Sequence, residues 1–418
     1  MNFQVLQEKG VYLTPILFTL FIFVTPLSPS LRSVFLILAL LSVLINPAYN
    51  QYLSYTFNTY WGRSALFLVG FVALACLWSP APLAMQISTV GKYSKILYLP
   101  ILAVGFINPK TRLWCINAYL GAMLFTCLIS LLKAKGVVFI HSNDDVNKLF
   151  YNHIVTGFMM ALACYIAALQ AIKYKGRLKV LYLFIVASTS FQILFLNTGR
   201  TGYAIYLVVM AILCLQKLPF KKALFGLFFL SALMIGAYFL SPTMQTGIHN
   251  LANDVHSLNA DNANSSLGFR FQFHDYARRL FMTQPLIGIG TGAFPYSYSL
   301  NPILTWGKWL NEPHSQYWLT LSEQGIIGFS FLLLFLGSLL FACFNLSDKS
   351  MLFGIITAVC IGAFFDSILS YSPIGYLLLI FSALNFGEFI EKYADNKKTQ
   401  QNRVEDKDEI HLSMENSS

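Results

Sequence analysis

Charge is scarce in this chain. Lys, Arg, Asp and Glu make up 11% of its 418 residues, roughly half the share carried by soluble folds. Before the C-terminal tail there is no Asp-x-Asp, and no phosphate-binding glycine loop precedes a Lys-Ser/Thr pair. Nothing therefore marks a divalent-cation or nucleotide site. The adjacent acids Asp144 and Asp145 read as a solvated loop. The seven cysteines (Cys76, Cys115, Cys127, Cys164, Cys214, Cys343, Cys360) all lie in apolar runs. They read as small buried hydrophobes, which excludes a disulfide framework. The first apolar run, Val11 to Leu27, lacks a small-residue cleavage site after it, so it reads as a retained span rather than a leader.

What the chain has in abundance is apolar sequence: 56% hydrophobic residues, 16% aromatics and a mean hydropathy of +0.60. The runs are long enough to cross a bilayer, which takes about 20 residues each. In lipid each must be helical, because an unpaired backbone group there is too costly. The expectation is an all-α integral membrane protein with about twelve spans, at 11–28, 31–48, 64–79, 95–107, 113–132, 154–171, 180–196, 202–216, 223–240, 325–344, 351–369 and 372–387. The fourth is short enough to be tilted or broken. One long polar loop interrupts them, dividing the chain into a first bundle segment (1–240), the loop (241–322), a second bundle segment (323–390) and a polar tail (391–418) expected to lack order.

The formal net charge of +10 does not point to nucleic acid, because the basic residues form short clusters between apolar runs. Lys110 and Arg112, Lys173 to Lys179, Lys217 to Lys222 and the tail fall on one side if the N-terminus is cytoplasmic. The positive-inside bias then places the long loop and the Asn197–Thr201 turn on the opposite, non-cytoplasmic side.

Three places can carry chemistry. Arg200 sits in Asn197-Thr198-Gly199-Arg200-Thr201-Gly202, a break between two spans. Gly199 and Gly202 permit close backbone approach there, and the guanidinium fork suits phosphate oxygens. The competing reading is an Arg snorkelling to lipid headgroups. Within the loop, Ser265 and Ser266 can cap a helix reaching about Met282. Phe269, Phe273, Tyr276 and Leu280 share its apolar face, with Arg270 at the edge. Such a short amphipathic helix would lie on the membrane or on the bundle. Arg278 and Arg279 follow Asp275 at helical spacing and read as local pairs, whereas Arg270 has no such acid. His314, two residues after Glu312, can act as a base at neutral pH, although a lone loop histidine is more often an ordinary surface residue. His249, His256 and His274 share the loop without a zinc-type spacing, so no metal site is assigned. Asp366, inside an apolar run, fits either a proton relay or a hydrogen-bonded structural role.

Taken in order, three segments resemble the O-antigen ligase and polymerase superfamily. They are Thr198-Gly199-Arg200-Thr201-Gly202; Gly268-Phe269-Arg270 through Arg279 to Pro285-Leu286-Ile287-Gly288-Ile289-Gly290-Thr291-Gly292-Ala293-Phe294; and Pro313-His314-Ser315-Gln316-Tyr317 running to Glu323-Gln324-Gly325-Ile326-Ile327-Gly328. The resemblance covers roughly residues 195–330. It departs from the pattern at Ser315, where many members have Asn, and at Gly199, where a hydroxyl residue is common.

The resemblance implies transfer of a glycan from undecaprenyl diphosphate to an acceptor hydroxyl at the periplasmic face of the bacterial inner membrane, without a cofactor or metal. Arg200 and Arg270 would hold the diphosphate and His314 would activate the acceptor. Ser315 and Gly199 would complete substrate binding. Among the activities it covers, the length and single dominant loop suit a ligase with lipid A–core as acceptor. A polymerase or a protein O-oligosaccharyltransferase shares the chemistry, and a transporter built around Asp366 is the rival from another class. Membrane lipids are the expected surroundings, and the sequence leaves the oligomeric state open.

Overall fold

The computed structural model describes residues 3–138, 149–259, 264–304, 310–370 and 373–415, with side chains from residue 12 to residue 400. The Asp144–Asp145 pair lies outside them. Every regular element among the described residues is helical. In chain order they are α1 (Phe3–Val24), α2 (Pro29–Ile45), α3 (Pro47–Asn50), α4 (Leu53–Asn58), α5 (Tyr60–Leu74), α6 (Leu83–Ser94), α7 (Tyr98–Gly105), α8 (Pro109–Ala134), α9 (His153–Lys173), α10 (Gly176–Phe191), α11 (Arg200–Lys217), α12 (Phe220–Leu240), α13 (Pro242–Asn259), α14 (Ser266–Thr283), α15 (Ala293–Leu300), α16 (Gln316–Phe344), α17 (Ser350–Gly362) and α18 (Ile374–Glu415).

Among the described residues, seven helices are long and apolar enough to cross a membrane, or eight if the bent pair Pro29–Ile45 and Pro47–Asn58 counts as one span. The expected twelve is therefore reduced to a smaller set of full-length spans plus shorter pieces. The expected span at 95–107 is a broken path. α6 gives way to a single tight turn at Lys95–Leu97, and α7 follows with only eight residues. The expected span at 351–369 stops at Gly362, and residues 363–373 continue as turns. Past Glu391, where disorder was expected, α18 continues as helix. Glu388 and Lys392 pair there at helical spacing.

α9 is the centre of the bundle. It is buried over almost its whole length, with α8, α10, α11, α17 and α18 packed around it. Its many alanines let neighbouring backbones come close. The outer helices α2 and α12 instead present Leu, Ile and Phe outward. In a bilayer that exposure is the favourable arrangement.

The stretch expected as a loop is mostly helix. α14 starts where Ser265 caps it, the hydroxyl accepting from Gly268 N at 3.1 Å. Phe273 and Tyr276 form a small core with Phe294, Tyr298 and Leu319, while Phe269 and Leu280 pack at its margin. The apolar face of α14 thus rests on α15 and α16. Of the two surfaces expected for it, the bundle is the one it uses.

α16 is broken within the span. Gly325 has φ 64° and ψ −164°, a conformation open only to glycine, and the helical ladder is interrupted there. The glycine-rich turn after Pro285 repairs the break. Ile326 and Ile327 N–H donate to Pro285 and Leu286 carbonyls (2.9 and 3.1 Å), while Ile289 and Gly290 N–H donate to Ser322 and Glu323 carbonyls (3.0 and 2.9 Å). The buried Glu323 carboxylate accepts from Phe294 N at 3.1 Å. The Gly-rich turn is accordingly a structural plug in a helix and lies away from the phosphate-type residues.

Candidate functional site

Arg200 is the first residue of α11, directly after the break that ends α10. The break is held from within. Asn197 is buried and its Oδ1 accepts from Gly199 N at 3.1 Å, and Tyr203 Oη donates to the Asn197 carbonyl. A side chain at position 199 would press on His153 at 3.1 Å. The close approach that Gly199 permits is therefore made by α9. The Arg200 guanidinium is 28% exposed and pairs with Asp254 of α13 at 2.8 Å; its other terminal nitrogen donates to Ser266 Oγ at 3.2 Å.

Arg200 and Arg270 line one polar cavity of about 300 Å³, together with His153, Thr198, Asn253 and Ser266. That volume lies at the small end of the range for small-molecule sites, about 300–1,000 Å³. The first turn of α11 opens on it as well, adding backbone dipole to the two side chains. Arg270 forms no direct ion pair among the described residues. Burial pulls its guanidinium below its ordinary value and the Asp366 carboxylate opposes this, with Arg200, Asp254 and Glu312 acting from further away. Arg278 and Arg279 pair with Asp275 at 2.8 and 3.2 Å, as expected, and leave the cavity to Arg270.

His314 stands at the other end of Arg270's surroundings. Its φ of 54° makes it the non-glycine residue with positive φ among those described, a conformation that costs free energy and often marks functional positions. Its Nδ1 lies 3.9 Å from Asp366 Oδ1, with the imidazole 38% and the carboxylate 18% exposed. On the side of α14, His274 Nε2 lies 3.3 Å from the His314 carbonyl, and the Phe273 ring is 5.9 Å from the imidazole. Glu312 accepts from Ser367 N at 3.1 Å. Burial, then the Asp366 carboxylate, raise its carboxyl above the ordinary range, and His314 works against them.

Residues 363–370 reach His314 because Gln316 staples them there. Gln316 Oε1 accepts from Leu369 N, Ser370 N and Ser370 Oγ at 3.0–3.2 Å, and its Nε2 donates to Tyr93 Oη at 2.9 Å. Ser315 is 1% exposed. Its hydroxyl caps α16, accepting from Trp318 N at 3.4 Å, and also contacts the Ala363 carbonyl at 3.4 Å. It positions His314 from behind and does not line the Arg200–Arg270 cavity. Asp366 was the acid read inside a span; it lies in the turn after α17 and faces the imidazole. That partnership had no signal in the sequence, since about fifty residues separate the two.

The loop histidines do not gather. His249 and His256 are exposed on α13, while His274 meets the His314 carbonyl. Glu312, His314 and Asp366 offer ligand atoms all within 4.8 Å of one another, a geometry open to a proton relay or to one shared cation.

A family model described as O-antigen ligase matches residues 183–333. The match covers about a third of the chain and supports membership of the O-antigen ligase/polymerase superfamily. The matched stretch begins in α10 and ends in α16, so it contains Arg200, Arg270 and His314. The match indicates a glycan-transferring enzyme that works in a membrane. Asp366 lies beyond the match, and the fold brings it in. No curated protein matches the chain.

Proposed function

We propose that this protein is an O-antigen ligase, moving a polysaccharide from undecaprenyl diphosphate onto lipid A–core at the periplasmic face of the inner membrane. The observation that carries this reading is the shared cavity. Two guanidinium groups from separate elements line it, and an imidazole–carboxylate pair lies beyond the second of them.

Arg200 and Arg270 bind the donor diphosphate and stabilise the charge that grows on it as the glycosidic bond breaks. One Arg–phosphate contact at 4 Å contributes on the order of 4 kcal/mol at a surface-like dielectric, before desolvation. Asp254 holds Arg200 in place without consuming all five donors. The acceptor hydroxyl attacks the anomeric carbon, a new C–O bond forms, and the C–O bond to phosphate breaks toward the diphosphate. His314 takes the hydroxyl proton, and Asp366 orients the ring and stabilises the imidazolium. The imidazole and carboxylate stand 3.9 Å apart, a separation that tightens to a hydrogen bond when substrate binds. The transporter alternative needs an acid inside a helix, whereas Asp366 sits in a turn paired with His314.

Four substitutions test this. Arg200→Ala, Arg270→Ala and His314→Asn should each abolish transfer in membranes while the protein stays folded, and Asp366→Asn should lower kcat on the order of 100-fold or more. Chelation with EDTA should leave the rate unchanged; a chelation-sensitive rate would turn the Glu312–His314–Asp366 group into a metal site. Deleting the gene should leave lipopolysaccharide core bare while lipid-linked polymer accumulates. A ladder collapsed to one repeat would instead assign the polymerase activity.

A further inference from the structure

A second group of cations lies at the same end of the bundle and shares no residue with the Arg200–Arg270 cavity. Arg32, in the first turn of α2, and Lys95, in the tight turn before α7, converge on the Tyr376 ring at the start of α18. The guanidinium carbon is 4.3 Å and the ammonium 5.0 Å from the ring centroid. Lys95 is 5% exposed and donates to the Ser370 carbonyl at 3.3 Å. Arg32 Nη1 donates to Tyr151 Oη at 3.3 Å, and Arg32 Nε is buried with no partner. Among the described residues neither forms an ion pair, and the charged groups that bear on Lys95 are two more cations, Arg32 and Lys92.

Buried like charges repel, and a cation removed from water needs an anion or a dense set of acceptors to offset its lost hydration. Two neutral oxygens and one aromatic face do not supply that for a buried ammonium beside a half-buried guanidinium. An anion placed beside the Tyr376 ring would. Ser370, which holds Lys95, is itself held by Gln316, two residues from His314. The cluster is therefore fixed relative to the imidazole, on its own side of the site.

We infer that Arg32 and Lys95 form a second anion subsite that holds a phosphate group of the acceptor while Arg200 and Arg270 hold the donor. The role as acceptor site rests on the transferase reading; the anion site itself does not. A phosphate there has two sources, a phosphorylated glycolipid acceptor or an anionic membrane lipid, and the test separates them.

The full chain in phosphatidylcholine nanodiscs is titrated with a diphosphorylated lipid A, with the same glycolipid dephosphorylated, and with phosphatidylglycerol, and bound ligand is read by native mass spectrometry. The phosphorylated glycolipid should bind about tenfold or more tightly than the dephosphorylated one, the preference expected of one charge-assisted contact. Arg32→Gln and Lys95→Met should each remove most of that preference, Lys95→Arg should keep it, and Arg200→Ala should leave it intact. Arg32 is partly exposed, so its variant is the one least able to disturb folding. Equal binding of both glycolipids, or unchanged binding in folded Arg32→Gln, would overturn the subsite. Phosphatidylglycerol binding as tightly, with the same sensitivity to Arg32, would make it a structural lipid site and overturn the acceptor role. Failure of the transferase reading shows elsewhere, as retained transfer in Arg200→Ala.

Discussion

His274 is a residue whose protonation the fold resists. Burial depresses its imidazole below the ordinary 6.5, and the nearby Arg270 and His314 push the same way, while the His314 carbonyl opposes them. The folded state therefore binds this proton less readily than the unfolded chain. Its contribution to stability is present above pH 6.5 and is lost as pH falls through the depressed value. Melting temperature in detergent should drop more between pH 7.5 and 5.5 for the wild type than for His274→Gln; parallel curves would refute the assignment. Arg200, Arg270 and His314 were legible as residues because a cationic fork or an imidazole in a polar break of an apolar chain needs a reason. Asp366 was legible as an acid in an apolar run, but its partnership with His314 and Glu312 was not. That partnership comes from Gln316, whose amide joins two segments that no local pattern relates.

At the scale of elements, helix type was readable from apolar runs, and the start of α14 from Ser265 and Ser266. Span count was not. Hydropathy sums composition over a window, so it cannot tell a continuous helix from the α6–α7 path, whose two halves are joined by a tight turn. Nor does it see that α17 stops at Gly362, because the turns that follow remain apolar enough to pass. The break in α16 falls at the expected start of its span, but the continuation of the helix back to Gln316 was hidden, because residues 316–324 are polar enough to read as loop. Gly325→Ala should cost at least about 1–3 kcal/mol for the backbone alone, and its methyl would overlap the Leu286 carbonyl. The measurable result is a lower melting temperature and less folded protein in membranes, and a variant melting with the wild type would show that the break tolerates a side chain.

For the whole molecule, the sites gather at one end: the α11 start, α14, the α16 start, the turn after α17, and the Arg32–Lys95 cluster. The Lys and Arg clusters of the short loops predict that this end faces the periplasm. In a chain whose seven cysteines are replaced, a membrane-impermeant maleimide should label Gln245→Cys in α13 from outside the inner membrane and should leave Thr399→Cys in α18 unlabelled until the membrane is opened. The reverse pattern would invert the topology and with it the side on which transfer takes place.

The plugged break in α16 has a bearing on how such proteins can be recombined. Residues 285–290 supply hydrogen bonds that a membrane helix needs, so the extramembrane stretch is not a detachable module. Expressed alone, it would present a turn with no helix to repair. Grafted onto a relative, it would have to travel with residues 316–330, and an exchange that cut between them would leave buried carbonyls of α16 without partners. The unit that recombines intact is therefore the loop together with the upper half of the helix it mends.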